Sequence, residues 1–473
     1  MIHVMKVLFC SSEVAEYAKT GGLADVSSAL PKELLRQGVD CTVVMPLYKS
    51  IREKGIPMKH VADISFLSGQ GISSGRIFSC EQTYFIENNT YFGRDGLYSY
   101  AGRDYPDNLE RFAFFSRACV ELLSLLGPFD VVHCNDWQSA LIPVYMKSLG
   151  IDSTATLFTI HNLAYQGIFN ASAWPLLLLP EEFLQPDYLE YFGSINVLKG
   201  GIVFSDMINT VSPTYAREIQ TPQFGSGLDG LLTSVSHKLT GIVNGIDTAV
   251  WNPLRDRFIT QPYSLEDMSG KSACKRDLQE RFSLDRCDYP LFGMIGRLVE
   301  QKGIDMVVAV IPDLVKTGSQ IVILGNGHPH YEKRLTEMSC LYPGQLGVHI
   351  GFDEGLAHLI EAGSDFFLMP SAFEPCGLNQ MISMQYATIP IVTGVGGLKD
   401  TVEALGEGKN PCGLRVGSSD EKALLSCVLQ AFQLYTEEKQ LVISLRKNAM
   451  KKNVGWEISA RQYMHLYQKI GVF

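Results

Sequence analysis

The chain has 473 residues, with 40 basic and 50 acidic side chains, a formal net charge of −10 and 46% hydrophobic residues. That balance suits a globular chain with sizeable cores and excludes disorder as its main character. The acidic balance argues against nucleic acid or a membrane surface as partner, so any anionic ligand must be met by locally placed cations.

At the start of the chain, Lys6 interrupts the apolar residues and Glu13 and Glu16 follow, which reads as a first strand entering a polar loop and not as a leader. The longest apolar stretches, such as Leu176 to Leu179, fall far short of the roughly 18 residues a membrane span needs. Eleven cysteines are spread singly with no C-x-x-C pair, as expected of reduced thiols in a cytoplasmic protein.

Val7 to Phe9 read as a strand, followed by a helix on which Leu23, Val26, Leu30 and Leu34 recur at helical spacing, and by a strand from Cys41 to Met45. Residues 50–105 are richer in Gly, Ser and Tyr, with weaker periodicity, and predict a hairpin-like insertion and a mobile loop. Further strands are predicted at Val131-Val132, Leu157 to Ile160 and Met207 to Thr210. After a boundary region between Asn244 and Pro290, with a charged helix from Lys271 to Arg281, they resume at Leu291 to Ile295, Ile321 to Leu324, Phe366 to Met369 and Ile389 to Val392. Trp456 to Phe473 predict a terminal helix. Apolar strands alternating with helices imply parallel sheets buried on both faces, an α/β, doubly wound architecture in two halves. Two such sheets facing a central cleft would hold ligands at the carboxyl ends of their strands.

The chemistry-bearing residues fall at those strand ends. Lys19-Thr20-Gly21-Gly22 opens the first helix; glycine amides at a helix start beside a lysine predict an anion cradle, the plain alternative being a Gly-rich turn with a solvated lysine. Arg297 and Lys302 flank the loop after the Leu291 strand and suit a diphosphate, unless they form a surface cluster with Glu300. Glu374-Pro375-Cys376-Gly377-Leu378 precedes a helix running to about Ala387; Glu374 is either a site carboxylate or an ordinary helix-start acid. Gly396 and Gly397 form a further phosphate-turn candidate. His161 directly follows the Leu157 strand, and His133-Cys134-Asn135-Asp136-Trp137 likewise follow a strand, with Asp136 either functional or a helix cap. Gly225-Ser226-Gly227-Leu228-Asp229-Gly230 matches G-x-G-x-x-G, but no buried strand precedes it, so a nicotinamide-dependent oxidoreductase fails on context. No D-x-D occurs, which removes one common metal-chelating device and leaves neutralisation of an anionic ligand to cationic side chains.

Taken in order, Lys19 to Asp25, His133 to Trp137, Ile160 to Gly167, Asn244-Gly245-Ile246-Asp247, Gly296-Arg297-Leu298 with Gln301-Lys302-Gly303, and Glu374 to Leu378 resemble the bacterial glycogen synthase and plant starch synthase family over essentially the whole chain. The resemblance implies a GT-B fold of two Rossmann-like domains, 1–247 for catalysis and acceptor and 248–455 for the nucleotide sugar, with a helix at 456–473 packing back on the first. It implies a retaining glycosyltransferase that moves glucose from ADP-glucose to the non-reducing end of an α-1,4-glucan or glycogen, without metal or cofactor. Carried over by position, Lys19, Gly21 and Gly22 would bind the donor, Arg297 and Lys302 its phosphates, and Glu374, Cys376, Gly377, Leu378, Gly396 and Gly397 the glucose and distal phosphate. His161 would lie against the glucose, with Asn244 and Asp136 nearby; Asp25 and Tyr98 are loop or acceptor residues. Asn379 departs from the family pattern. Two alternatives stay open: UDP-glucose as donor, and a non-catalytic glucan-binding protein of the same fold.

Overall fold

A computed structural model describes residues 4–471. The chain divides into two compact units, the first comprising residues up to Val211, Ala216–Asn244 and the segment from Trp456 onward, the second Ser212–Tyr215 and Gly245–Gly455. Ser212 to Tyr215 belong with the second unit for a chemical reason. Asp400 accepts from the Ser212 hydroxyl, from Thr214 N–H at 3.0 Å and from Thr214 Oγ1 at 2.6 Å.

The first unit is built on a nine-stranded sheet: β1 (Lys6–Cys10), β2 (Asp40–Pro46), β3 (Lys59–Ser68), β4 (Gly71–Cys80), β5 (Thr83–Glu87), β6 (Val131–Asn135), β7 (Ala155–Ile160), β8 (Met207–Thr210) and β9 (Leu239–Gly241). Its order is β9-β8-β7-β6-β1-β2-β5-β4-β3, parallel except where the β3–β4 hairpin pairs antiparallel onto β5. The hairpin accounts for the insertion predicted in 50–105. Central strands are buried along their length, which is why they read as unbroken apolar runs. The helix Gly22–Arg36 buries Leu23, Val26, Leu30 and Leu34, the stripe that predicts it.

His133 corrects a sequence expectation. β6 runs through Asn135, so His133 lies inside the strand and not after it, wholly buried, with Nδ1 2.8 Å from Tyr467 Oη and Nε2 2.7 Å from Thr159 Oγ1. Burial pushes its pKa well down. Tyr467 and Tyr463 come from the terminal helix Trp456–Ile470; the Tyr463 hydroxyl accepts from Asn209 Nδ2 at 2.7 Å. The helix thus keys into the first unit by satisfying polar groups that burial would otherwise strand.

The second unit carries a six-stranded, wholly parallel sheet: β10 (Leu291–Ile295), β11 (Gln320–Gly325), β12 (Leu346–Ile350), β13 (Phe366–Met369), β14 (Ile389–Thr393) and β15 (Leu414–Val416), in the order β12-β11-β10-β13-β14-β15. Its core gathers Phe292, Ile304, Ile311, Ile323, Phe366, Ile391 and Leu445. β12 and β15 are edge strands, partly exposed and polar-interrupted, and the apolar-run criterion passes over both. Strand order reverses between β10 and β13, and in the first unit between β1 and β6. The loops leaving those strands' carboxyl ends are where a doubly wound sheet binds ligand.

Candidate functional site

At the first unit's reversal point, the loop after β1 is organised by a residue that sequence reasoning passed over. Glu13 is 3% exposed; its Oε2 accepts from Thr20 N–H at 2.5 Å and Gly21 N–H at 3.2 Å. Its Oε1 accepts from Thr20 Oγ1 and from the Tyr98 hydroxyl, each at 2.6 Å. The anion cradle expected at Lys19 to Gly22 therefore already holds an anion, supplied by the chain itself. Gly21 sits at the helix cap in extended backbone with open space around its Cα, and Gly22 begins the helix. Lys19 Nζ lies 2.6 Å from Asp25 Oδ1, both side chains well exposed. Tyr98 reaches the loop from the insertion, and burial together with the Glu13 charge drives its pKa well up.

Asp136 follows β6 with φ 55° and makes no capping bond to the short helix after it, which disposes of the cap alternative. Its Oδ1 accepts from His161 N–H at 2.7 Å. Burial raises its pKa to about 7, against the lowering effect of the His161 and Asn162 amides. The strained backbone aims the carboxylate across to the loop that leaves β7. His161 is 9% exposed, and burial lowers its pKa to about 3. Asn135 fixes its tautomer: Asn135 Nδ2 donates to Cys10 O at 3.0 Å, so its Oδ1 faces His161 Nε2, 2.9 Å away. A neutral imidazole facing a carbonyl oxygen carries its proton on Nε2 and keeps Nδ1 as an acceptor. Asn244, at the end of the same unit, is buried, and its Oδ1 has no hydrogen-bond partner. A buried acceptor without a donor is costly and suits a group that a ligand completes. Asp136, His161 and Asn135 are thus directly linked, while Lys19, Asp25, Tyr98 and the two glycines form a second group around Glu13.

At the second unit's reversal point, Lys302 Nζ lies 2.5 Å from Glu374 Oε2, which also accepts from Ser371 Oγ at 3.1 Å. Glu374 is 5% exposed, so the helix-start alternative gives way to a buried acid paired with a partly exposed lysine. Arg297 Nη2 donates to Gln301 Oε1 at 2.9 Å, a partner other than the Glu300 envisaged for a surface cluster. Gln301 in turn donates to Phe373 O, tying the β10 loop to the β13 loop. Cys376 is buried, Gly377 takes φ +74°, and the helix begins at Asn379 with Leu378 as its cap and ends at Gln385, two residues short of the expected Ala387. Asn379, the departure from the family pattern, donates from Nδ2 to Ile295 O at 2.8 Å and fastens the end of β10.

Gly396 and Gly397 stand where two loops meet closely. A Cβ on Gly396 would stand 1.9 Å from Glu374 O, and one on Gly397 would stand 2.2 Å from Cys376 O. Gly397 N–H is also spent on Glu374 O at 3.1 Å. These glycines let the β14 loop press against the backbone of the loop carrying Glu374. Among the described residues no group of three or more His, Cys, Asp or Glu could hold a metal ion, and no helix is long and apolar enough to cross a membrane.

Residues 6–234 match the starch synthase catalytic domain model, and residues 276–448 match the model of glycosyl transferases group 1. The chain is 42% identical to the glycogen synthase of Syntrophotalea carbinolica over 98% of this chain and 99% of that one. It is 44% identical to the glycogen synthase of Myxococcus xanthus with the same coverage. Among solved structures, the catalytic domain of starch synthase IV from Arabidopsis thaliana, bound to ADP and acarbose, superposes with a TM-score of 0.91 at 32% identity, covering 99% of each chain. Sucrose-phosphate synthase from Thermosynechococcus elongatus, at 16% identity and a TM-score of 0.62, shares the fold.

Proposed function

The chain belongs to the glycogen synthase and starch synthase family, a GT-B enzyme that transfers glucosyl groups, and on that premise we propose that it carries glucose from ADP-glucose to the non-reducing end of an α-1,4-glucan with retention at the anomeric carbon. The observation that carries this reading is the set Arg297, Lys302 and Glu374 at the strand-order reversal of the second unit.

Cleaving a glucose–phosphate bond builds negative charge on the departing diphosphate and positive charge on the sugar. Preorganised cations stabilise the first of these far better than water does, because they need no reorganisation when the charge appears. Arg297 offers a planar fork for two phosphate oxygens and Lys302 a compact charge. Glu374 holds Lys302 in place and can accept a glucose hydroxyl. In the first unit, His161 Nδ1 is an acceptor for a sugar hydroxyl, and the Asp136 carboxylate opposes developing positive charge. Lys19 is assigned to the donor.

Two features favour attack from the face the diphosphate leaves over a double displacement. Glu374 Oε2 carries the Lys302 ammonium and the Ser371 hydroxyl, and Asp136 is held by the amides of His161 and Asn162, so each carboxylate's charge is partly neutralised and each is a poorer nucleophile than a bare one. The adenine nucleotide is supported by the ADP bound to the Arabidopsis relative. The test is a donor panel with glycogen as acceptor: labelled glucose should pass from ADP-glucose into α-1,4-linked product. A preference for UDP-glucose moves the donor assignment, and no transfer from any nucleotide sugar by folded protein rejects the reading.

A further inference from the structure

We propose that Glu13 is a positioning residue for glucosyl transfer: its buried carboxylate occupies the amides of the Lys19–Gly22 loop and clamps that loop to Tyr98, so that Lys19 meets the donor in one direction. This rests on the reading that the loop serves the donor, and it adds a residue that no motif picks out.

The hydrogen-bond inventory carries it. An ionised carboxylate is acceptor-only, with about four lone-pair directions. Glu13 meets four donors: Thr20 N–H, Gly21 N–H, the Thr20 hydroxyl and the Tyr98 hydroxyl. Since Tyr98 spends its proton on Glu13, the Ser12 hydroxyl, 2.7 Å from Tyr98 Oη, must donate to Tyr98. The chain Ser12 to Tyr98 to Glu13 therefore has a single proton direction, and every lone pair of the carboxylate is used. Exposed backbone amides at a helix start ordinarily hold a phosphate. Here two of them are withdrawn from the donor, which leaves Lys19, itself paired with Asp25, as the loop's cation toward a nucleotide sugar.

The anchor also couples two segments far apart in sequence. Tyr98 precedes the small hairpin Ser99–Asp104, and Asn108 Nδ2 donates to Tyr98 O at 3.0 Å. Arg111, wholly buried, donates to Leu97 O at 2.9 Å and to Asn108 Oδ1 at 2.6 Å. The Tyr98 end of the clamp is thus rigidly held, and Glu13 passes that rigidity to a Gly-rich turn that has little of its own.

The experiment is steady-state kinetics of Glu13→Gln with each substrate varied in turn. Glutamine keeps the shape but turns an –NH2 group toward donors, so the loop loses acceptors. Displacing a substrate-positioning group by about 1 Å costs on the order of 10²-fold. The expected result is a 10- to 100-fold loss of kcat/KM for the nucleotide sugar, with the KM for glycogen within twofold of the parent. Tyr98→Phe, which removes one donor and leaves the carboxylate, should show a smaller loss in the same parameter, and it serves as the test if Glu13→Gln does not fold. A folded Glu13→Gln with donor kcat/KM within threefold of the parent overturns the proposal, as does an equal loss toward both substrates, or an unchanged Tyr98→Phe. Inactivity of the parent protein with every nucleotide sugar would instead overturn the functional reading.

Discussion

Lys302 and Glu374, 72 residues apart in the chain, form a part-buried ion pair with Nζ 2.5 Å from Oε2. One partner is the proposed phosphate cation and the other a glucose ligand, so each is held by the group on the far side of the bond to be broken. Removing Lys302 leaves the buried Glu374 carboxylate without its counter-charge, which costs more than the pair itself contributes. Lys302→Ala and Glu374→Ala should each lower kcat/KM on the order of 10²-fold. The double variant should lose little more than one single variant, not the 10⁴-fold of independent sites. A double-mutant cycle on kcat/KM checks this, and additivity would separate the two roles.

His161 and Asp136 predict a pH profile. With its pKa near 3, His161 is neutral at any working pH and contributes no limb above about pH 5. Asp136, raised to about 7 by burial, is protonated below that value and ionised above it. The ionised form accepts the His161 and Asn162 amides and opposes positive charge on the sugar, so kcat/KM should climb through about pH 7. Asp136→Asn should abolish the limb along with most activity, whereas His161→Ala should lower activity and leave the limb. A limb that survives in Asp136→Asn would transfer the titration to another group.

How far the site could be read in advance follows from what each residue does for the chain. The strands after which Arg297, Glu374 and His161 stand are unbroken apolar runs, so the strand ends, and the residues on them, were visible. Glu13 was not, because a glutamate in a polar loop looks the same whether it is solvated or saturated with donors. His133 looked like a loop residue because only two apolar residues precede it; the strand continues because Tyr467 and Thr159 satisfy its ring from distant parts of the chain. At Gly396 and Gly397 composition does not show that the Gly397 amide is spent on Glu374 O. Each of these points concerns where a polar group finds its partner, and that is a tertiary fact.

If fixed cations neutralise the leaving diphosphate, transfer should be indifferent to chelation. Synthesis in excess EDTA should match that in magnesium, and Arg297→Ala should cut turnover on the order of 10²-fold while glycogen retention on an affinity gel is unchanged. Loss of activity in EDTA with recovery on adding magnesium would hand the role to a metal.

Glu361 makes a stability prediction apart from catalysis. It lies on the helix Glu354–Gly363, is 1% exposed, and accepts from Ser383 Oγ at 2.7 Å. Burial raises its pKa to about 8, with Ser383 and Lys271 opposing the rise. In the unfolded chain the carboxyl ionises near 4.5, so between about 4.5 and 8 the folded state holds a proton that the unfolded state has lost. Stability therefore falls as pH rises through that window and levels off above it, once both states are ionised. Glu361→Gln keeps the shape of the protonated acid and cannot ionise. Its Tm should lie close to the parent's near pH 5 and exceed it increasingly up to about pH 8, by on the order of 5 °C, with no further widening at pH 9. Thermal unfolding of the two proteins across pH 5 to 9 measures the difference directly, and a constant offset would show that Glu361 is ionised in the folded state throughout.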